Sequence, residues 1–133
     1  MIDRILITSL FIVCASVSAG SPIRQAIEKS CREHPQLTGK CFVVRGSLAV
    51  HNGAPAIRLR RIGTRRVLGI SEQRFKLPGY RNLPEGLAAQ LNGDNEILGD
   101  FLVCPFTRPK PREMQLVCIE SAKNTSVRKR KQQ

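Results

Sequence analysis

From Cys41 to His51 apolar and polar positions alternate, with Phe42, Val44, Leu48 and Val50 on one side and Val43, Arg45, Ser47 and Ala49 on the other. A period of two is that of a half-buried strand. Gly46 interrupts the run, where a bulge or sharp bend is expected. Asn52-Gly53 follows, a hairpin signal because both residues tolerate positive φ. A second strand is expected over 54–62, with Ile57 and Leu59 inward and Pro55 placing its start at an edge or in a turn. Gly63-Thr64 reads as a second two-residue turn and 65–70 as a third strand, so residues 41–70 form a three-stranded meander.

Ahead of the meander the period lengthens. Ser21-Pro22 has the form of a helix start. Ile23, Ile27 and Cys31 then share one face, and Pro35 ends the helix near His34. Beyond the meander, Leu77-Pro78-Gly79-Tyr80 is a turn. A short helix is expected over 84–91 with Leu87 and Leu91 inward, then strands over 97–106 and 114–120 around a proline-rich, charged loop at 107–112. The order of helix, three strands, short helix and two strands suits a mainly β fold, a small five-stranded OB-like barrel. A bent first strand serves both halves of such a barrel; an open, twisted sheet is the alternative.

Residues 1–19 stand apart from this pattern. Arg4 and a nearly continuous apolar run from Ile5 to Val17 lead to Val17-Ser18-Ala19, the form of a cleavable export signal. A spanning helix needs roughly 20 apolar residues, and this run is shorter. A lipid anchor on Cys14 is disfavoured by Val13, where a small residue belongs. The expected organisation is therefore a signal peptide (1–19), a single β domain (20–122) and a disordered basic tail (123–133), with no membrane span left after cleavage. Asn124-Thr125-Ser126 matches the N-glycosylation pattern, which matters only in a eukaryotic secretory route.

Of the five cysteines, Cys14 leaves with the signal, and Cys31, Cys41, Cys104 and Cys118 remain. An even number in a small exported domain reads as two disulfides. Zinc is the alternative, but the spacings lack a short knuckle, and no metal is expected. Three connectivities are open. Cys104 and Cys118 lie symmetrically about the 107–112 loop, so Cys104–Cys118 with Cys31–Cys41 is the expected pairing. The second choice joins Cys41 to a cysteine of the last hairpin.

Charge then locates a candidate site. The formal net charge is +12, which attracts anions. Arg58, Arg60, Arg61, Arg65 and Arg66 crowd the second hairpin. If Gly63-Thr64 turns the chain, Arg61 stands opposite Arg66 and Arg60 opposite Val67. Arg58, Arg60 and Arg65 then face outward, with Arg61 and Arg66 at the rim of the inner face. Like charges held together repel, and guanidinium groups suit phosphate, sulfate and carboxylate. The expected partner is anionic: lipopolysaccharide or phospholipid phosphate, an acidic glycan, an acidic protein or nucleic acid. Nucleic acid is the weakest fit, because only Phe75 and Tyr80 lie near for stacking. Docking on an envelope protein, with incidental charge, is the alternative. A hydrolase would need a cleft around His34, His51 or the carboxylates Glu72, Glu85, Asp94, Glu96 and Asp100. No catalytic or cofactor-binding motif joins them, so neither an enzyme nor a cofactor is expected.

The runs VRGSLAVHNGAPAIRLRRIGTRRVLGI, GDFLVCPF and MQLVCIESA resemble a group of small exported bacterial proteins with paired cysteines, over about Cys31 to Ala122. The resemblance implies a periplasmic or secreted protein; its motifs carry no known chemistry.

Overall fold

The computed structural model describes Ile12 and residues 28–131. The expected signal segment, apart from Ile12, and the first half of the expected N-terminal helix, residues 21–27, lie outside the described residues. Within them that stretch holds only one 3₁₀ turn, Cys31–Glu33, whose first turn is closed by a Ser30–Glu33 capping box.

The remaining elements follow the expected order. They are β1 (Phe42–Val50), β2 (Ile57–Arg61), β3 (Val67–Ile70), α1 (Glu85–Gln90), β4 (Asn95–Pro105) and β5 (Gln115–Lys129). The fold is mainly β: five strands in one mixed sheet. β1 pairs antiparallel with β2 on one side and β4 on the other, β2 with β3, and β4 with β5. The β3–β5 pair alone is parallel, which the 71–114 connection allows. The order β1-β2-β3-β5-β4 closes, because β4 returns to β1.

The alternation seen in the sequence sets what lies inside. Leu48 stands opposite Leu59 and Ile97, and Leu59 opposite Leu68; all four are fully buried with Val44, Phe101, Val103, Val117 and Ile119. Removing such a side chain from water contributes about 1.5–3 kcal/mol each. Leu87 of α1 joins this cluster, flanked by the half-buried Leu83 and Leu91. At Gly46 β1 has two partners at once, Arg61 of β2 and Gly99 of β4, and both ladders run through it without the expected bulge. A Cβ there would lie 2.6 Å from the carbonyl oxygen of Arg60 and 2.8 Å from Leu59 Cδ1, so close strand approach requires glycine.

A second cluster gathers Cys31, Cys104, Phe106 and Cys118, with Leu37, Cys41 and Phe75 against it. The disulfides are Cys31–Cys118 and Cys41–Cys104. This corrects the expected pairing of Cys104 with Cys118; the second choice, Cys41 to a cysteine of the last hairpin, is the one found. Cys104 and Cys118 are indeed opposite each other in the β4–β5 ladder. However, the β1–β4 ladder, with Phe42 opposite Val103, brings Cys41 beside Cys104, their Cα atoms 4.1 Å apart. Cys118 is left to the 3₁₀ turn, where the Cα of Cys31 is 5.7 Å away. The sequence shows the hairpin symmetry but not the closure of the sheet that supplies Cys104 with a second neighbour.

His34 is a packing residue here. It is buried, its Nδ1 accepts from the Gln36 N–H (3.1 Å), and its Nε2 lies 2.8 Å from the Phe75 carbonyl. The tautomer that satisfies both carries its proton on Nε2.

The second correction concerns the C-terminus. Residues 123–129 are not a disordered tail but the outer half of β5, paired with β4 from Lys123 opposite Asp100 to Lys129 opposite Asn95. Polar composition suggests disorder; what overrides it is complementary charge and a free ladder edge. Asn124 Nδ2 donates to Asp100 (2.9 Å), Arg128 pairs with Glu96, and the Arg130 N–H bonds the Asp94 carbonyl (2.7 Å). The β domain therefore does not end at Ala122.

Candidate anion-binding site

The second hairpin keeps the expected register, with Arg58 opposite Gly69, Leu59 opposite Leu68 and Arg60 opposite Val67. The Arg61 N–H continues it to the Arg66 carbonyl at 3.0 Å. The reversal occupies residues 62–65 rather than two residues, with Gly63 at φ 78°, a conformation that favours glycine. Thr64 Oγ1 fixes the turn by donating to the Arg61 carbonyl and accepting from the Arg66 N–H, both at 3.2 Å.

Beside this hairpin lies a groove of about 610 Å³. Arg60, Arg61, Arg65 and Arg128 line it, with Ser47 and Thr64 between them and no acidic side chain in the lining. Its floor is the outer face of the sheet, where Ser47 stands between Arg60 of β2 and Leu98 of β4. A second cleft, of about 400 Å³, opens on the other flank of the hairpin, between Arg65, Arg66, Lys110 and Arg112, with Glu113 its one acid. Arg66 is steadied there by a short hydrogen bond to Gln115 Oε1.

The five expected arginines thus divide. Arg60, Arg61 and Arg65 meet in the larger groove, and Arg65 and Arg66 in the smaller cleft. The register alone puts Arg61 at the rim of the inner face, but the sheet ends at Arg61 and the turn carries it round to Arg60. Arg58 is in neither. Its Nε donates to the Pro55 carbonyl (2.9 Å) and its Nη2 to the Asn52 carbonyl (3.3 Å), so it braces the β1–β2 loop. That loop, with a cis Ala54–Pro55 bond, also delays the start of β2 to Ile57.

Sequence reasoning misses Ser47, Lys110 and Arg112 as site residues, and gives Arg128 only as part of a basic tail, Arg128 to Lys131, that adds non-specific affinity, whereas it lines the groove. Arg128 falls in the segment whose composition reads as a tail, and no apolar alternation marks it as a strand, since Val127 is the one apolar residue of 123–133. Behind Arg128 lies Glu96, buried and accepting from Ser47 Oγ at 2.6 Å. Burial raises its pKa, but the Ser47 hydrogen bond and Arg128 outweigh that and hold the carboxyl below its ordinary value of 4.5. His51 is tied to Arg130, whose Nη2 lies 2.9 Å from His51 Nδ1. Burial, then Arg130, Arg58 and Arg60, hold the imidazole below 6.5. Asp100 is also lowered, by hydrogen bonds from Asn124 and Arg45.

These shifts set a pH dependence. A lowered histidine pKa means the unfolded chain binds the proton first, so stability begins to fall as pH drops through 6.5. A lowered carboxylate pKa adds stability above 4.5 that is lost as pH falls through the folded value. Thermal melts should therefore be lower at pH 4 than at pH 7 (a span of about 3 units chosen to cross both ordinary values). Glu96→Gln should flatten the acid part of that profile; an unchanged profile would show that Glu96 does not carry it.

Phe75 and Tyr80 do not form a stacking surface beside the arginines. Phe75 stacks on Phe106 at 4.6 Å in the disulfide cluster, and Tyr80 lies 5.2 Å from His34. Compared with protein-family profiles, with characterised proteins and with solved structures, the chain matches none.

Proposed function

We propose that this chain is an exported, non-enzymatic binding module, built as an OB-like barrel, that holds an anionic partner against its cationic second hairpin. The observation that carries the reading is the larger groove: four arginines line it, with no acid among them. Among the described residues Arg60, Arg61 and Arg65 form no ion pair; those present are Arg45–Asp100, Arg81–Glu28 and Arg128–Glu96. Glu96, behind the groove, answers Arg128 and part of the charge of Arg60; the remaining cations repel one another, and a bound anion relieves that repulsion. In OB folds the face of the second and third strands and the loops between strands one and two and four and five take ligands. The groove and cleft border β2, β3 and the β4–β5 loop. Two disulfides with three buried cysteines accord with an oxidising compartment. No helix among the described residues is long and apolar enough to cross a membrane. The resemblance to small exported bacterial proteins points the same way.

The test is titration of the protein against heparin, anionic vesicles and single-stranded DNA at low and high salt. Binding to at least one should weaken steeply as salt rises. Replacing Arg60, Arg61 and Arg65 together by Ser should weaken it about 100-fold, given charge-assisted hydrogen bonds of ~1.5–3 kcal/mol each before losses to solvent. Absence of salt-sensitive binding to all three polyanions would end this reading.

A further inference from the structure

The tip of the hairpin carries an apolar side chain that the anion-binding reading does not use. Ile62 is 50% exposed, between Arg61 and the glycine of the turn. Nothing lies within 4 Å of where a Gly63 Cβ would stand, so the tip projects into solvent. Around it the cations are arranged on both sides: Arg60, Arg61 and Arg128 in one groove, Arg66, Lys110 and Arg112 in the other, with Arg65 shared.

A linear polyanion lying in the larger groove, whose wall includes Ile62, leaves the opposite cleft unused and meets the isoleucine only as an apolar wall. A planar array of anions with an apolar layer beneath it uses all three. Headgroup phosphates would enter the clefts on either flank while Ile62 passes between them toward the acyl region. Guanidinium groups match phosphate oxygens in pairs, and each cation near an anionic bilayer adds about 1 kcal/mol of attraction. Of the aromatic residues that single-stranded nucleic acid would need, Phe75 is in the disulfide cluster and Tyr80 packs beside His34.

We infer that the β2–β3 hairpin docks tip-first on an anionic phospholipid surface, with Ile62, at the wall of the larger groove, entering the bilayer interface while the arginines of both clefts take headgroup phosphates. This rests on the reading of the hairpin as the anion-binding element and names its partner.

The chain contains no tryptophan, so Ile62→Trp places a single reporter at the tip. With mixed phosphatidylglycerol–phosphatidylcholine vesicles its emission should shift to the blue, and with heparin or pure phosphatidylcholine vesicles it should not. In parallel, Ile62→Ser should weaken binding to the mixed vesicles about five- to tenfold, the scale of leaving half an isoleucine side chain in water, and should weaken heparin binding by a clearly smaller factor, since Ile62 gives the groove only an apolar wall. Indole emission of the Ile62→Trp variant that stays unshifted on bound vesicles overturns the inference. So does an Ile62→Ser loss of equal size for heparin and vesicles, or binding of heparin alone. In each of those outcomes salt-sensitive anion binding still stands. Binding of neither probe, and of no single-stranded DNA, removes the anion-binding reading as well.

Discussion

Digestion of the protein without reductant should yield Cys31–Cys118 and Cys41–Cys104 peptides, and replacing Cys31 and Cys118 together by Ala should cost about 4 kcal/mol of stability. The two bridges close loops separated by 87 and 63 residues. By loop-closure entropy the two differ by only about 0.3 kcal/mol, so the Cys41–Cys104 double variant should lose nearly as much. Their structural consequences differ more than their energies. Cys31–Cys118 ties the turn at Cys31–Glu33 to β5. Cys41–Cys104 fastens one end of the β1–β4 ladder, which already holds itself by backbone pairing. Equilibrium unfolding in urea measures both losses. A Cys104–Cys118 peptide would contradict the closure of the sheet, since it would leave Cys41 without its neighbour.

The second large effect is expected at Gly46. Gly46→Val should lower stability by about 3 kcal/mol or more, at the upper end of what overpacking costs, because the obstacle is backbone and not a movable side chain. The added Cβ would meet the Arg60 carbonyl at 2.6 Å. Relief requires β2 to move off β1 just where Ser47 and Arg60 face each other and form the floor and wall of the groove. Anion affinity should therefore fall in the fraction that still folds. Gly86→Ala is the control: its Cβ would meet nothing within 4 Å, and in a helix the change should be neutral or stabilise by about 0.5–1 kcal/mol. Thermal melts of the two variants side by side separate a demand for close approach from a general intolerance of substitution.

The parts of this fold that are legible in the sequence are those set by local chemistry. Alternation marks β1 and its inward residues Val44 and Leu48. Gly63 marks the second hairpin and its register, and Leu87 the inner face of α1. What is not legible depends on contacts between distant segments. The parallel β3–β5 pair has no local signature. Neither does the meeting of Cys41 with Cys104, which follows from β4 returning to β1. The same holds for the site. The hairpin arginines stand out in sequence, but Arg128 enters the groove only because Glu96 and Asp100 draw an otherwise featureless polar segment into the sheet. Arg58, the first of the expected five, is withdrawn from the site by two loop carbonyls that no spacing rule reveals.

The outer half of β5 also has a bearing on solubility. Along residues 95–98, β4 has β5 on one side and, over 96–98, β1 on the other. A protease trimming the chain back to Ala122 would leave the β5 side of that segment as a row of unpaired N–H and C=O groups, a template for another strand. The same cut would remove Lys123, Arg128, Lys129, Arg130 and Lys131, and with them much of the repulsion that keeps copies of the chain apart. A basic end that reads as an appendage thus guards against self-association twice over, by covering an edge and by charging it.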